Sequence, residues 1–188
     1  MRSIHVVGLV VVAVVVLLAA WLISVYNKLV RMRNQIDASW SQIDVQLTRR
    51  HDLIPNLVES VKGYASHERG TLEAVVAARG AAMAHPGADA GRADAEDALS
   101  QALGRLIALG EAYPQLRANE NFAALQAALA ATEDKIAYAR QFLTYAVQQY
   151  HTAIESFPTN LVAGPLGFRR RELFEAAGTD RATVAVSF

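Results

Sequence analysis

From Val6 to Ile23 the chain reads VVGLVVVAVVVLLAAWLI, a run of 18 residues with no polar rhythm and no charge. At about 1.5 Å per residue, a helix of that length reaches roughly 27 Å, close to the hydrocarbon thickness of a bilayer. Valine favours strands in water, but a lone strand in lipid leaves its backbone unsatisfied, so the run predicts a helix. Trp21 and Tyr26 stand near its C-terminal end, where amphipathic rings suit the membrane interface. Val6, Leu9, Val16, Leu18, Trp21 and Ile23 are therefore expected to form a membrane anchor, with the lipid bilayer as its partner. A cleaved signal peptide is the rival reading. Its apolar core would be unusually long, and Leu18-Ala19-Ala20 makes a poor small-x-small cleavage site. Lys28, Arg31 and Arg33 follow the run, against Arg2 and the N-terminal amine before it, so the positive-inside rule favours an N-out span with a cytoplasmic C-terminal domain.

After Tyr26 the apolar positions fall into steps of three and four. Leu29, Ile36 and Ile43 repeat every seven residues and are rejoined by Leu57 and Tyr64; Trp40, Leu47, Ile54 and Val61 form a parallel row. Such rows are the narrow apolar stripe of a helix packed on other helices. Arg33 and Arg50 fall within the seam, where long side chains can lay their stems on apolar surface and keep their heads in water. Pro55 removes one backbone donor, yet the hydrophobic phase is unchanged across it. A kink in a continuing helix is expected, running past Leu72 and Val75 to about Met83, with His85-Pro86-Gly87 as the stop.

A shorter helix follows, with Ala95, Leu99, Leu103 and Leu106 on one face and Gly110 as a C-cap. Asn119 or Asn121 is expected to cap the next helix. There Phe122, Leu129, Ile136, Leu143, Tyr150 and Phe157 recur every seven residues beside a row of Leu125, Thr132, Ala139, Ala146 and Ala153. Pro158 ends it, and Phe168-Arg169-Arg170-Arg171-Glu172-Leu173-Phe174 reads as a short terminal helix over one end of the bundle.

The elements predict an all-α protein: a single transmembrane helix followed by an antiparallel, four-helix-type bundle with a long kinked first helix. The expected division is an anchor at 1–26, a bundle at 27–177 and a frayed tail at 178–188. The first helix outruns its partners, so Leu29, Ile36 and Trp40 are expected to lack cover within one chain and to require a second copy, another partner or the membrane surface. That mismatch favours a homo-oligomer.

Composition narrows the function more than it names one. Eighteen Lys and Arg balance 18 Asp and Glu, which argues against a general nucleic-acid binder. Cysteine is absent, excluding disulfides, zinc–thiolate sites and a cysteine nucleophile. The five histidines have no Glu-x-x-His or His-Glu-x-x-His context and read as lone surface residues. Asp37, Asp44, Asp52, Glu59, Glu68 and Glu73 lie among Arg49, Arg50, Lys62 and Arg69, a pattern of solvated ion pairs. Phosphate-binding loops and the Gly-x-Ser-x-Gly elbow are missing. Arg169–Arg171 offers phosphate or acidic lipid a weak landing place, with a solvated face as the plainer reading. No catalytic residue, cofactor or metal site is expected.

Two blocks are more specific. YNKLVRMRNQIDASWSQIDVQLTRRHDLIPNLVESVKGYASHE, Tyr26 to Glu68, resembles the first signature of the LemA family, most distinctively at Asn34, Trp40, Asp44, Arg49, Arg50, Asp52, Pro55, Asn56, Gly63, Tyr64 and Glu68. NFAALQAALAATEDKIAYARQFLTYAVQQYHTAIESFPTNLVAGPLGF resembles the second. The resemblance implies a single-span, N-out protein of the bacterial inner membrane with a helical bundle and no established enzyme activity. It also implies a neighbourhood of membrane peptidases and envelope-stress components, and kinship with a magnetosome-formation protein. The function expected is a non-enzymatic, self-associating scaffold or assembly component; the alternative is an adaptor for a membrane peptidase or stress system, with its contact surface on the basic tail or around Arg49 and Arg50.

Overall fold

The computed structural model describes residues 2–65, 67–85 and 90–171. Among the described residues six helices follow one another: α1 (Arg2–Lys62), α2 (Arg69–Met83), α3 (Ala90–Ala112), α4 (Pro114–Arg117), α5 (Glu120–Glu155) and α6 (Asn160–Ala163). The described residues contain no strand. They fall into two compact units: the first combines Met1–Gln42 with Ala139–Glu172, the second contains Ile43–Tyr138. Both α1 and α5 contribute to each unit.

The second unit is a four-helix bundle whose directions follow from its cross-links. Tyr64, just past the end of α1, meets Asn119, just before α5, while Arg50 meets Glu133, so α1 and α5 run antiparallel. Asp44 pairs with Arg92 and Arg50 with Glu96, so α3 runs parallel to α1. Arg79 of α2 reaches back to His51, which makes α2 antiparallel. The order is up, down, up, down. Ile54, Leu57, Val61, Leu72, Val75, Leu99, Leu103, Leu106, Phe122 and Leu129 form its core.

α1 runs through Pro55. The missing N–H of Pro55 deprives the His51 carbonyl of its helical donor, and Arg79 Nε donates to that oxygen at 2.8 Å. The expected continuation to Met83 is corrected. The chain leaves the helix at Gly63–Tyr64, with the Ala65 amide donating back to the Val61 carbonyl at 2.9 Å, and α2 returns alongside α1. The reversal lets Leu72 and Val75 share one core with Leu57 and Val61, where a straight helix would carry them past it.

Gly110 lies inside the last turn of α3 rather than after it, so the expected C-cap is also corrected. Its value is space: a Cβ there would collide with the Phe122 ring. Asn119 provides the α5 cap, its Oδ1 accepting from the amides of Asn121 at 2.9 Å and Phe122 at 3.1 Å.

In the first unit the run Val6–Ile23 is helical, and none of its apolar window is buried inside the chain. Burial begins beyond it. Leu29 and Ile36 are each 1% exposed, and Leu143, Ala146, Val147, Tyr150 and Ile154 of α5 are buried in the same unit. This corrects the expectation of an uncovered seam. Within this unit the second half of α5 and the segment after it close over those residues.

Phe168–Arg171 is not helical, unlike the terminal helix expected there, while 172–188 lie outside the described residues. Side chains of α5 hold this strip. Tyr150 Oη donates to the Arg169 carbonyl at 3.0 Å, and the Arg171 amide donates to His151 Nε2 at 3.1 Å. Burial pushes the Tyr150 phenol up, against Arg171 and Arg33, so it stays a neutral donor. Phe157 leaves its expected apolar row: α5 stops at Glu155, the residue before a proline is biased away from helix, and Phe157 is 79% exposed.

Candidate functional site

The densest polar constellation lies inside the second unit. Arg50 occupies the row Leu29–Ile36–Ile43–Leu57, so helix periodicity aims it at the core, and it is 1% exposed. Glu96 is equally buried on α3, one turn before Leu99 on the same face. Arg50 Nη2 pairs with Glu96 Oε2; Nη1 donates to Glu133 Oε1 at 2.8 Å and to Ser100 Oγ at 3.0 Å. His51 Nε2 lies 3.1 Å from the other Glu96 oxygen, close but without the alignment of a good hydrogen bond. The cluster thereby ties α1 to α3 and α5.

Burial alone would push the Glu96 carboxyl up, because desolvation penalises a charge. The adjoining His51 ring and Arg50 guanidinium reverse this and hold it below the ordinary value near 4.5. A general acid needs the opposite shift, and a general base needs a proton within reach. Neither of two surface grooves of this unit, one lined by Val58, Lys62, Leu72 and Val76, the other by Asn56, Tyr64 and Asn121, includes Arg50, His51 or Glu96. What the contacts form is a charge-paired, directional link between α1, α3 and α5. Among the described residues no group of three His, Cys, Asp or Glu side chains is placed to hold a metal ion.

The residues singled out from sequence separate. Arg49 is exposed, whereas Arg50 beside it is buried, so the two do not form one contact surface as expected, nor does the Arg50 head reach water. Trp40 is half-buried and engaged within the chain. Val6, Leu9, Val16, Leu18 and Ile23 are 59–73% exposed, and Trp21 is half-buried. Pro55 is exposed on α1. His51, expected at the surface, is 8% exposed because its helix face turns toward α3. Asp44 pairs with Arg92 at 2.7 Å and Asp37 with Arg171 at 3.0 Å, partners remote in sequence rather than helical neighbours.

Glu96, Glu133 and Arg92 were absent from the sequence reading. A signal existed. Extending the row Leu106, Leu103, Leu99 backward in helical steps lands on Glu96 and then Arg92. An acid in the apolar row of one helix and a base in that of another mark a buried pair.

The sequence profile of the LemA family matches residues 39–188. Magnetosome protein MamQ 2 of Paramagnetospirillum magneticum is 27% identical over 186 residues, covering 86% of this chain and 68% of that protein. Magnetosome protein MamQ of Magnetospirillum gryphiswaldense is 27% identical over 174 residues, covering 79% and 64%. Protein LemA of Metamycoplasma hominis is 24% identical over 161 residues, covering 86% and 74%. The apolar N-terminal helix, the all-helical fold and a profile match over most of the sequence lead to one assignment: this is a membrane-associated helical protein, and the chain belongs to the LemA family.

Proposed function

We propose that the protein is a non-enzymatic scaffold of the bacterial inner membrane, anchored N-out by Val6–Ile23, that assembles by self-association through its helical domain. The observation that carries this reading is an aromatic face on α5. In the part of α5 that belongs to the first unit, Phe142 and Tyr145, three residues apart on one helix face, are 38% and 57% exposed. Large rings left on one helix face are what a partner helix covers, and aromatic side chains dominate the cores of protein interfaces. The similarity to MamQ, named as a magnetosome protein, supports a role at an organised membrane. The uncovered seam at Leu29 and Ile36 no longer contributes, since the chain itself buries it.

A photo-crosslinking amino acid at Tyr145 of the full-length protein in its native membrane tests the reading. Covalent dimers and a ladder of larger species are expected. Adducts to a different envelope protein, with no self-adduct, would transfer the α5 face to the adaptor reading.

A further inference from the structure

We propose that the elbow Ser156–Gly167 is a second membrane contact, in which Phe157 and Leu161 enter the interfacial layer of the same bilayer that the anchor crosses. This rests on the anchor reading of Val6–Ile23.

The placement comes from contacts within the first unit. The Phe168 ring stands edge-on to Tyr26 at 5.6 Å and lies beneath the Arg33 guanidinium at 5.7 Å. Three residues later Arg171 pairs with Asp37 at 3.0 Å. From Phe168 to Arg171 the chain therefore travels alongside α1, away from the apolar run. On α5, Tyr150 and His151 are level with Arg169 and Arg171, so the last turn of that helix points the other way, toward the run. The elbow joins these two strips and lies on the span side of both. Burial along α1 agrees: valines of the apolar run are 48–63% exposed, whereas Val25 is half-buried, as is Trp21 one turn earlier. The cover supplied by the first unit thus reaches the exit of the span.

The elbow's two sides differ. Ala163 is 2% exposed, with Val162 and Leu166 half-buried, whereas Phe157 and Leu161 are 79% and 65% exposed. The sequence SFPTNLVAGPLG carries no charge, although 19% of the chain is charged. Charges resume at its borders, where Glu155 pairs with Arg170 at 3.0 Å and Arg169 is exposed. Lys28 and Arg31 are exposed on the first turns of α1 beyond the span. A neutral, apolar-tipped loop rimmed by cations is suited to the interfacial layer, where apolar side chains enter the acyl boundary and basic ones meet phosphate.

Because the chain contains no cysteine, single labels can be placed without background. Phe157→Cys and Leu161→Cys, in the full chain, would carry an environment-sensitive fluorophore in vesicles of phosphatidylcholine and phosphatidylglycerol. Val16→Cys reports the anchor and Val45→Cys an exposed site further along α1. Far-UV circular dichroism checks that each variant is folded. Lipids bearing a nitroxide near the headgroup should quench positions 157 and 161 at least about twofold more than position 45, while deep nitroxides quench position 16. Equal quenching at 157, 161 and 45, with position 16 still quenched, would overturn the elbow contact and leave the anchor standing. Loss of quenching at 16 as well would remove both.

Discussion

Two arginines in the seam of α1 meet opposite fates. Arg33, in the first unit, is half-buried over the Phe168 ring. Arg50, in the second, is sealed from water and held by Glu96, Glu133 and Ser100. Both lie in apolar rows of similar spacing. Helix periodicity chose the direction of each side chain, and what packs around it chose the electrostatics. A guanidinium that retains water needs little help, since stem burial and a ring face suffice. One that loses water needs counter-charges from other elements, because an isolated buried ion costs several kcal/mol.

The largest test of that contrast removes the buried charge. Arg50→Met should destabilise the protein by about 3–5 kcal/mol, because Glu96 is left buried beside an apolar chain. Hydrogen exchange should accelerate in α2 and α3, with a much smaller effect on residues 139–155. Adding Glu96→Leu should recover much of the loss, measured as a double-mutant coupling in denaturant melts. Full additivity would show that the pair is not a unit.

Glu96→Gln should cost about 2–3 kcal/mol at neutral pH, where it removes a charge-assisted partner of Arg50. The folded Glu96 carboxyl titrates below its ordinary value near 4.5. Its stabilisation is therefore whole above that value and is lost as pH falls through the lower folded one. The gap between wild type and Glu96→Gln should narrow as melts are taken from pH 7 into that acid window. A constant gap would contradict the depressed carboxyl.

Next comes packing without charge. Gly110→Ala should cost about 1–3 kcal/mol by overpacking, because its methyl meets the Phe122 ring. Thermal melts with Phe122→Leu as a second change check the cause, since the smaller side chain should relieve part of the effect.

The smallest change addresses the first unit. Tyr150→Phe removes the donor to the Arg169 carbonyl and should cost about 1 kcal/mol. Exchange should rise at the Arg169 and Arg171 amides while α2 and α3 are unaffected. The opposite distribution of effects would mean that the two units are not separately supported.

Much of this architecture was legible from periodicity. Six matched positions from Phe122 to Phe157 implied a helix of the α5 kind, and five of them, Phe122, Leu129, Ile136, Leu143 and Tyr150, are buried. The sixth fails where Pro158 redirects the backbone. The reversal at Gly63–Tyr64 was hidden because Leu72 and Val75 beyond it continue the helical spacing of Leu57 and Val61 before it. The buried cluster was partly hidden for another reason. Arg50 looks like any amphipathic seam residue until Glu96, 46 residues away, is brought against it.

By itself the sequence determined local matters: an uncharged run long enough to span a bilayer, the helical periods, and an asparagine cap at 119 or 121, of which Asn119 makes the bonds. These depend on neighbours within a turn or two, where spacing fixes geometry. Tertiary structure alone decided that Leu29 and Ile36 find cover within the chain, that Arg50 is paired rather than hydrated, and that Phe157 and Leu161 are exposed. Desolvation depends on every atom that approaches a group, and those atoms come from segments that periodicity does not connect.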